Sequence, residues 1–306
     1  MSSLLTLLST ELRRLRSRRL FRIGAILIVL GIVLAGVITL AKSHRITAVE
    51  IQAQQSFRQQ QLQACEAGQL GIPPEKIPPG ESLQEFCQNI PFAEVSTHSF
   101  ALVHLIDIYK GTTVPIVLLA WLLGASFLGA EWHAGTMTTL LAWEPRRIRV
   151  LLMKAFAAIL VAFVGAVLFQ AVLGLALTPA AVLRGTTAGT KTRAWFETLL
   201  GVVLRGATLA AIAAAIGAAI ATVARNTAAA LGLAFGYLLI VENLLGVLRH
   251  GWRSWFFGVN AVVLVDGHRH PEVLPRSVLQ AGLLLGLYGV AFLTIATSWF
   301  ARRDVT

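Results

Sequence analysis

The sequence predicts an all-α polytopic membrane protein, with six transmembrane helices preceded by an amphipathic interfacial helix and a long extracytoplasmic loop between spans one and two. Three observations carry that prediction. Apolar residues make up 56% of the 306-residue chain and charged residues only 13%, against about a quarter charged in an ordinary soluble domain. The remaining charges collect in clusters separated by runs of about twenty apolar residues, the length that crosses a bilayer as a helix. The basic clusters also sort by side, as an oriented membrane chain requires.

Residues 1–22 come first. Leu5, Leu8, Leu12 and Leu15 share one helical face, and Arg13, Arg14, Arg16 and Arg18 lie elsewhere around the turn. A basic helix of this kind lies in the interface plane, its stems on lipid and its guanidinium groups against anionic headgroups. A secretory signal is the other reading of a basic N-terminal flank. The following run, Ile23–Ala41, is longer than a cleavable apolar core and argues against it.

The six-span domain occupies 23–306. After Ile23–Ala41 the spans fall at Thr112–Ala130, Lys154–Thr178, Gly206–Ala224, Ala228–Leu248 and Val278–Phe300. The fourth is the weakest by hydropathy because it is mostly Ala. Gly206, Ala210, Ala214, Ala218 and Thr222 form a small-residue stripe on it, which lets another helix approach closely and marks an interior helix.

Orientation follows from the basic residues. With the N-terminus inside, the cytoplasmic segments hold 13 Lys and Arg with four carboxylates, Glu11, Glu131, Glu144 and Asp304. The outer segments hold 12 over about twice the length, nearly balanced by acidic residues, so both termini are expected in the cytoplasm. The net charge of +11 therefore sits mostly at cytoplasmic headgroups, and membrane lipid rather than nucleic acid accounts for it. With 21 Arg against 5 Lys and abundant Ala, Leu and Gly, the composition suggests a GC-rich bacterial genome and hence a bacterial cytoplasmic membrane.

The outer segment 42–111 is the one part large enough to fold in water. It opens with a Gln-rich stretch of helical composition, Ile46–Ala67, and turns through Pro73-Pro74 and Pro78-Pro79. Cys65 and Cys87, the only cysteines, both lie here, which suggests a disulfide in an oxidising compartment.

The most informative stretch is the cytoplasmic loop after span two, 131–153. Gly135 can relax the backbone after the span, and Thr136–Trp143 can form a short helix with Met137, Leu140 and Leu141 on one side. Pro145 suits the first turn of a new helix that runs through an Arg cluster into span three. A short helix held at the membrane surface is a handle for a soluble partner. The ordered series Glu131, Gly135-Thr136, Leu140-Leu141, Pro145-Arg146-Arg147 and Lys154 resembles the permease subunits of ABC-2-type transporters. The N-terminal helix, the six spans and the outer segment between spans five and six extend the resemblance, while the long Cys-containing loop departs from many members. The resemblance implies an exporter subunit without ATPase motifs of its own, forming a homodimer or heterodimer. It also implies docking on ABC ATP-binding subunits that hold ATP and Mg and push the region around Glu131–Arg149.

Other motifs carry less. Gly185–Thr192 nearly spells a phosphate-binding loop, but Thr190 stands where Gly is required, no buried strand precedes it, and it falls outside. His268 and His270, beside Asp266, are a weak metal-ligand candidate. They are the basis of an alternative reading as an integral membrane enzyme; a membrane sensor or assembly protein built around 42–111 is another. Gln170, Arg205, Glu242 and Asn243 are polar residues in the outer halves of spans three to five, and polar groups in a span are candidates for a translocation path. Arg205 and Glu242 either pair, line an outward-opening cavity, or serve separately, Arg205 snorkelling to headgroups.

Overall fold

In the computed structural model the apolar runs are the middles of helices longer than themselves. The structure describes residues 4–17, 19–45, 47–69, 82–89, 99–133, 135, 146–268 and 276–302. Among these, the chain is helical, apart from turns and an isolated bridge between Ala101 and Thr186.

In order, the helices are α1 (Leu4–Ser17), α2 (Arg19–Lys42), α3 (Ala48–Glu66), α4 (Leu83–Asn89), α5 (Leu105–His133), α6 (Arg147–Pro179), α7 (Arg193–Ala224), α8 (Thr227–Gly236), α9 (Glu242–Leu248), α10 (Phe257–Asp266) and α11 (Val278–Arg302). A π-helical turn, Ala180–Arg184, extends α6, and another, Tyr237–Val241, joins α8 to α9. Six stretches are long and apolar enough to cross a membrane: Arg22–Lys42, Leu102–Trp132, Arg147–Arg184, Arg193–Ala224, Thr227–Leu248 and Val278–Arg302. Each contains or nearly contains a predicted span. The second, third and fourth begin seven to thirteen residues earlier than hydropathy indicated, because a helix satisfies its own backbone and need not stop at the hydrocarbon edge.

Helix starts follow local chemistry. Thr47/Glu50, Ser82/Glu85 and Ser277/Gln280 each form a reciprocal capping pair, and Thr192 and Asn226 cap α7 and α8. Arg225 closes α7 at φ +53°, a left-handed conformation uncommon for a side-chain-bearing residue.

The fold divides into two compact units. The larger comprises Met1–Val33, Val103–Leu175 and Gly189–Thr306. At its centre α7 crosses α5. The whole predicted stripe is buried, with Ala210, Ala214 and Ala218 at 0% exposure and Thr222 at 3%. A Cβ on Gly124 of α5 would collide with the Ala214 carbonyl, and one on Gly217 would meet the Trp121 carbonyl. Small residues therefore set this crossing, as close packing in lipid demands. Most large side chains of α8 and α9 remain exposed, as lipid-facing surfaces do.

The smaller unit comprises Leu34–Leu102 and Ala176–Ala188. Gly36 packs against the backbone of Ala176, and Ser43 bridges by accepting from the Phe100 amide at 3.0 Å and donating to the Arg184 carbonyl at 3.2 Å. The expected disulfide is formed: Cys65 and Cys87 are bonded and buried, tying α3 to α4 across 22 residues.

At the start of α3, the Glu50 carboxylate accepts from the Thr47 amide (2.8 Å), contacts His44 Nε2 (2.7 Å) and meets the Thr47 hydroxyl (3.0 Å). The Thr47 backbone bond, the His44 bond and the Thr47 hydroxyl together lower its pKa from 4.5 to about 2. A lowered folded-state pKa stabilises the cap above pH 4.5, and that contribution is lost as pH falls towards about 2. Hydrogen exchange at the Glu50 amide, corrected for intrinsic rate, is expected to lose protection across that window. In Glu50→Gln the loss should be absent.

Candidate functional site

A buried ion cluster lies at one end of the larger unit, built from three helices. On α1, positions 8, 11, 12 and 15 face the same way, so Leu8, Leu12 and Leu15 carry Glu11 with them into the bundle. Leu15 packs with Phe127, Leu128, Leu151 and Phe300, and Arg13 and Arg14 stay exposed. Leu8, Leu12 and Leu15 of the leucine face are thus spent on protein, and the Leu5 side chain falls outside those described. Positions 16 and 18 fall outside the residues whose side chains are described.

Glu131 comes from the last turn of α5 and Lys154 from the third turn of α6. Lys154 is fully buried, and Glu11 and Glu131 are 6% and 7% exposed. Its ammonium donates to Glu11 Oε2 at 2.8 Å and to Glu131 Oε1 at 3.0 Å, with Glu131 Oε2 at 2.9 Å and the Phe127 ring centroid at 5.4 Å. An isolated buried ammonium costs several kcal/mol, and direct ion pairs offset that cost. Two carboxylates around one ammonium leave an excess negative charge, and Arg14 Nη1, 3.3 Å from Glu11, extends the row to a neutral chain of four.

The same end gathers other helix termini. Trp132 stacks edge-on to Phe300 of α11 at 5.8 Å, and the Arg225 guanidinium lies over Trp132 at 4.5 Å. The face of α1 from Leu8 to Leu15 and the end of α11 therefore lie at the same end of the bundle as the C-terminal ends of α5 and α7.

Of the predicted loop residues, Glu131 and Lys154 belong to this cluster. Gly135 ends α5 at φ +65°, where other residues are strained, and its amide donates to the Trp132 carbonyl at 3.3 Å. Thr136, Leu140, Leu141 and Pro145, with the expected short helix, lie outside the described residues. Arg146 is exposed, Arg147 and Arg149 are half-buried, and these three line a cleft of about 660 Å³ with Ile148, Leu152, Met153 and Ala301.

The polar span residues do not converge. Gln170 is fully buried, and neither side-chain polar atom has a partner among the described residues. Its side-chain amide lies near Thr113 and Gly206, and its backbone carbonyl accepts from the Tyr109 hydroxyl at 2.5 Å. Arg205 and Glu242 do not pair. Glu242 accepts from the Gly258 amide at 2.8 Å and Tyr237 from the Phe257 amide at 3.2 Å, so together they cap the start of α10. Asn243 is exposed and donates to the Leu238 and Leu239 carbonyls of the preceding π-helical turn.

His268 Nδ1 lies 3.1 Å from the Asp266 carbonyl, and His270 is outside the described residues. Among the described residues no three His, Cys, Asp or Glu side chains are grouped to hold a metal ion. Gly185–Thr192 forms a turn leading into α7, without the strand a phosphate loop needs. Sequence reasoning missed Glu11 as a site residue. Its signal was an acid on the leucine face of an otherwise basic helix.

No curated protein and no solved structure matches the chain. The family described as ABC-2 family transporter protein matches residues 5–256, from the first turns of α1 to the start of α10. With six helices among the described residues long and apolar enough to cross a membrane, and that match over most of its length, the chain belongs to the ABC-2 transporter family, as a membrane component of transport.

Proposed function

We propose that this chain is the permease subunit of an ATP-driven exporter in a bacterial cytoplasmic membrane. A separate ABC ATP-binding subunit holds ATP and Mg, and a second permease, identical or homologous, completes the assembly. Family membership supports the partnership with an ATP-binding subunit. The observation that carries the mechanism is the Glu11–Lys154–Glu131 cluster. It bonds the two helix ends that border residues 134–146 to α1, so a push on that segment moves three elements as one piece. Closure of the ATP-binding subunits on the loop would be passed into α5 and α6, and through the tight α5–α7 crossing into the centre of the bundle.

The excess of basic residues at this end supports placing it in the cytoplasm, with both termini. The cleft lined by Arg146, Arg147 and Arg149 has the mixed basic and apolar character of a docking surface for a protein partner. Gln170 and Arg205 are the polar span residues we place beside the translocation path, since Glu242 and Asn243 satisfy backbone groups.

The test is co-purification with the ATP-binding subunit and assay of the complex. Arg146→Glu with Arg147→Glu is expected to leave the permease folded in the membrane and to weaken assembly or coupled ATP turnover by about tenfold or more. A double variant that assembles and turns over like the wild type would remove the coupling assignment.

A further inference from the structure

The end of the bundle remote from Lys154 holds a second charged cluster that the coupling mechanism leaves unused. Arg205 leaves α7 half-buried, and its guanidinium folds back along the helix, with Nη2 3.4 Å from where a Cβ on Gly201 would stand. It also lies against Gly267, the left-handed residue that closes α10 at φ +78°. A side chain at Gly267 would occupy the guanidinium's place. Two glycines thus make room for it. Asp266 acts on it electrostatically, and Lys110 Nζ is 3.6 Å from the same Asp266 carboxylate. Among the described residues, Arg205 and Lys110 thus set two cations about the Asp266 carboxylate, and the Arg205 Nε has no hydrogen-bond partner among them.

The depth of the cluster is readable from helix geometry. Arg205 precedes Arg225 by 20 residues and Lys110 precedes Glu131 by 21. At about 1.5 Å per residue both intervals are roughly 30 Å, the thickness of a bilayer's hydrocarbon core. With the Lys154 end at one boundary, both cations stand at the other, at headgroup level. Exposed aliphatic side chains lie one helical turn from Lys110 and Asp266, Val114 on α5 and Val262 on α10, and Leu204 beside Arg205 on α7 is exposed too.

We propose that Arg205, Lys110 and Asp266 form a binding site for the anionic head of an amphiphile, a phosphate or carboxylate carried on an apolar tail. The two cationic side chains recognise the head, and the exposed aliphatic surface beside them receives the tail. Only the ligand's status as cargo rests on the exporter reading; the binding does not.

The first arm uses the full-length permease alone, in nanodiscs of phosphatidylcholine with a minor fraction of phosphatidylglycerol, with retained lipid identified by native mass spectrometry. The wild type is expected to enrich phosphatidylglycerol by about tenfold over the surrounding mixture. Arg205→Gln and Lys110→Gln should lower that towards parity, and Arg205→Lys should keep part of it. Arg193→Gln, an exposed arginine one helix end away, should match the wild type. No enrichment in the wild type, or equal enrichment in Arg205→Gln with Lys110→Gln, would overturn the site. Displacement by millimolar inorganic phosphate would overturn the amphiphile assignment.

The second arm measures ATP turnover of the assembled complex in the same lipids. Phosphatidylglycerol-dependent turnover that Arg205→Gln abolishes marks the ligand as cargo, and turnover indifferent to it marks a resident lipid. Either supports the anionic site. If enrichment holds and no ATP-binding subunit assembles with the chain, the exporter reading fails while the site stands.

Discussion

Lys154→Met is expected to destabilise the permease by about 3–5 kcal/mol, while Glu11→Gln, Glu131→Gln and Lys154→Met together recover most of the loss. The asymmetry follows from burial. With Lys154 removed, two carboxylates less than a tenth exposed face each other without a shared cation. The ion pairs had offset the cost of dehydrating all three groups, and breaking them leaves that cost standing. In the triple variant every group is neutral and of similar volume, so little remains to be offset. Equilibrium unfolding in mixed micelles measures both. The triple variant also separates folding from coupling: it should be well folded yet transmit poorly, since neutral amides hold α1, α5 and α6 together less firmly than charge-assisted bonds. A single Lys154→Met variant as stable as the wild type would mean that the cluster is hydrated and its charges solvated.

Gly124→Ala is the second large effect, with an expected cost of about 1–3 kcal/mol from adding one methyl group. That methyl would stand inside contact distance of the Ala214 carbonyl and Cα, both backbone atoms that cannot rotate away. Lipid supplies no hydrophobic force to hold two apolar helices together, so their association depends on close packing. Separating α5 from α7 at this point also loosens the neighbouring approach of Gly217 to Trp121. The control is the same substitution at Gly165, which has nothing within 4 Å of a new Cβ. There the helix propensity of Ala should stabilise by up to about 1 kcal/mol. Opposite signs for one chemical change, read by unfolding of the two variants, would isolate packing from propensity.

Much of this was legible in the sequence. Apolar runs gave the six crossings, and the stripe from Gly206 to Thr222 placed the fourth inside the bundle. Thr47-x-x-Glu50, Ser82-x-x-Glu85 and Ser277-x-x-Gln280 each announce a helix start. What hydropathy could not give were helix lengths beyond the hydrocarbon, because Asp107, Lys110, Arg193 and Glu197 break an apolar run without breaking a helix. Glu131 and Lys154 were visible as members of an ordered series, but their partner Glu11 lies more than a hundred residues away. No local pattern encodes that pairing. Glu242 shows the limit from the other side. A carboxylate in an apolar span left an ion pair with Arg205, a cavity lining and separate roles all open, and it binds a backbone amide at the start of a short helix that only tertiary structure puts beside it.

In the proposed mechanism ATP-driven motion enters at the loop beside Arg146 and Arg147 and is carried into the bundle by the Glu11–Lys154–Glu131 cluster. Hydrogen exchange of the assembled complex, with and without a non-hydrolysable ATP analogue, tests it directly at residues 8–15, 124–133 and 147–154. In the wild type the nucleotide should change exchange in all three segments together. In the neutral triple variant the change should remain near 147–154 and be lost from the other two. Nucleotide-dependent exchange that spreads equally through all three segments without the charges would contradict the account.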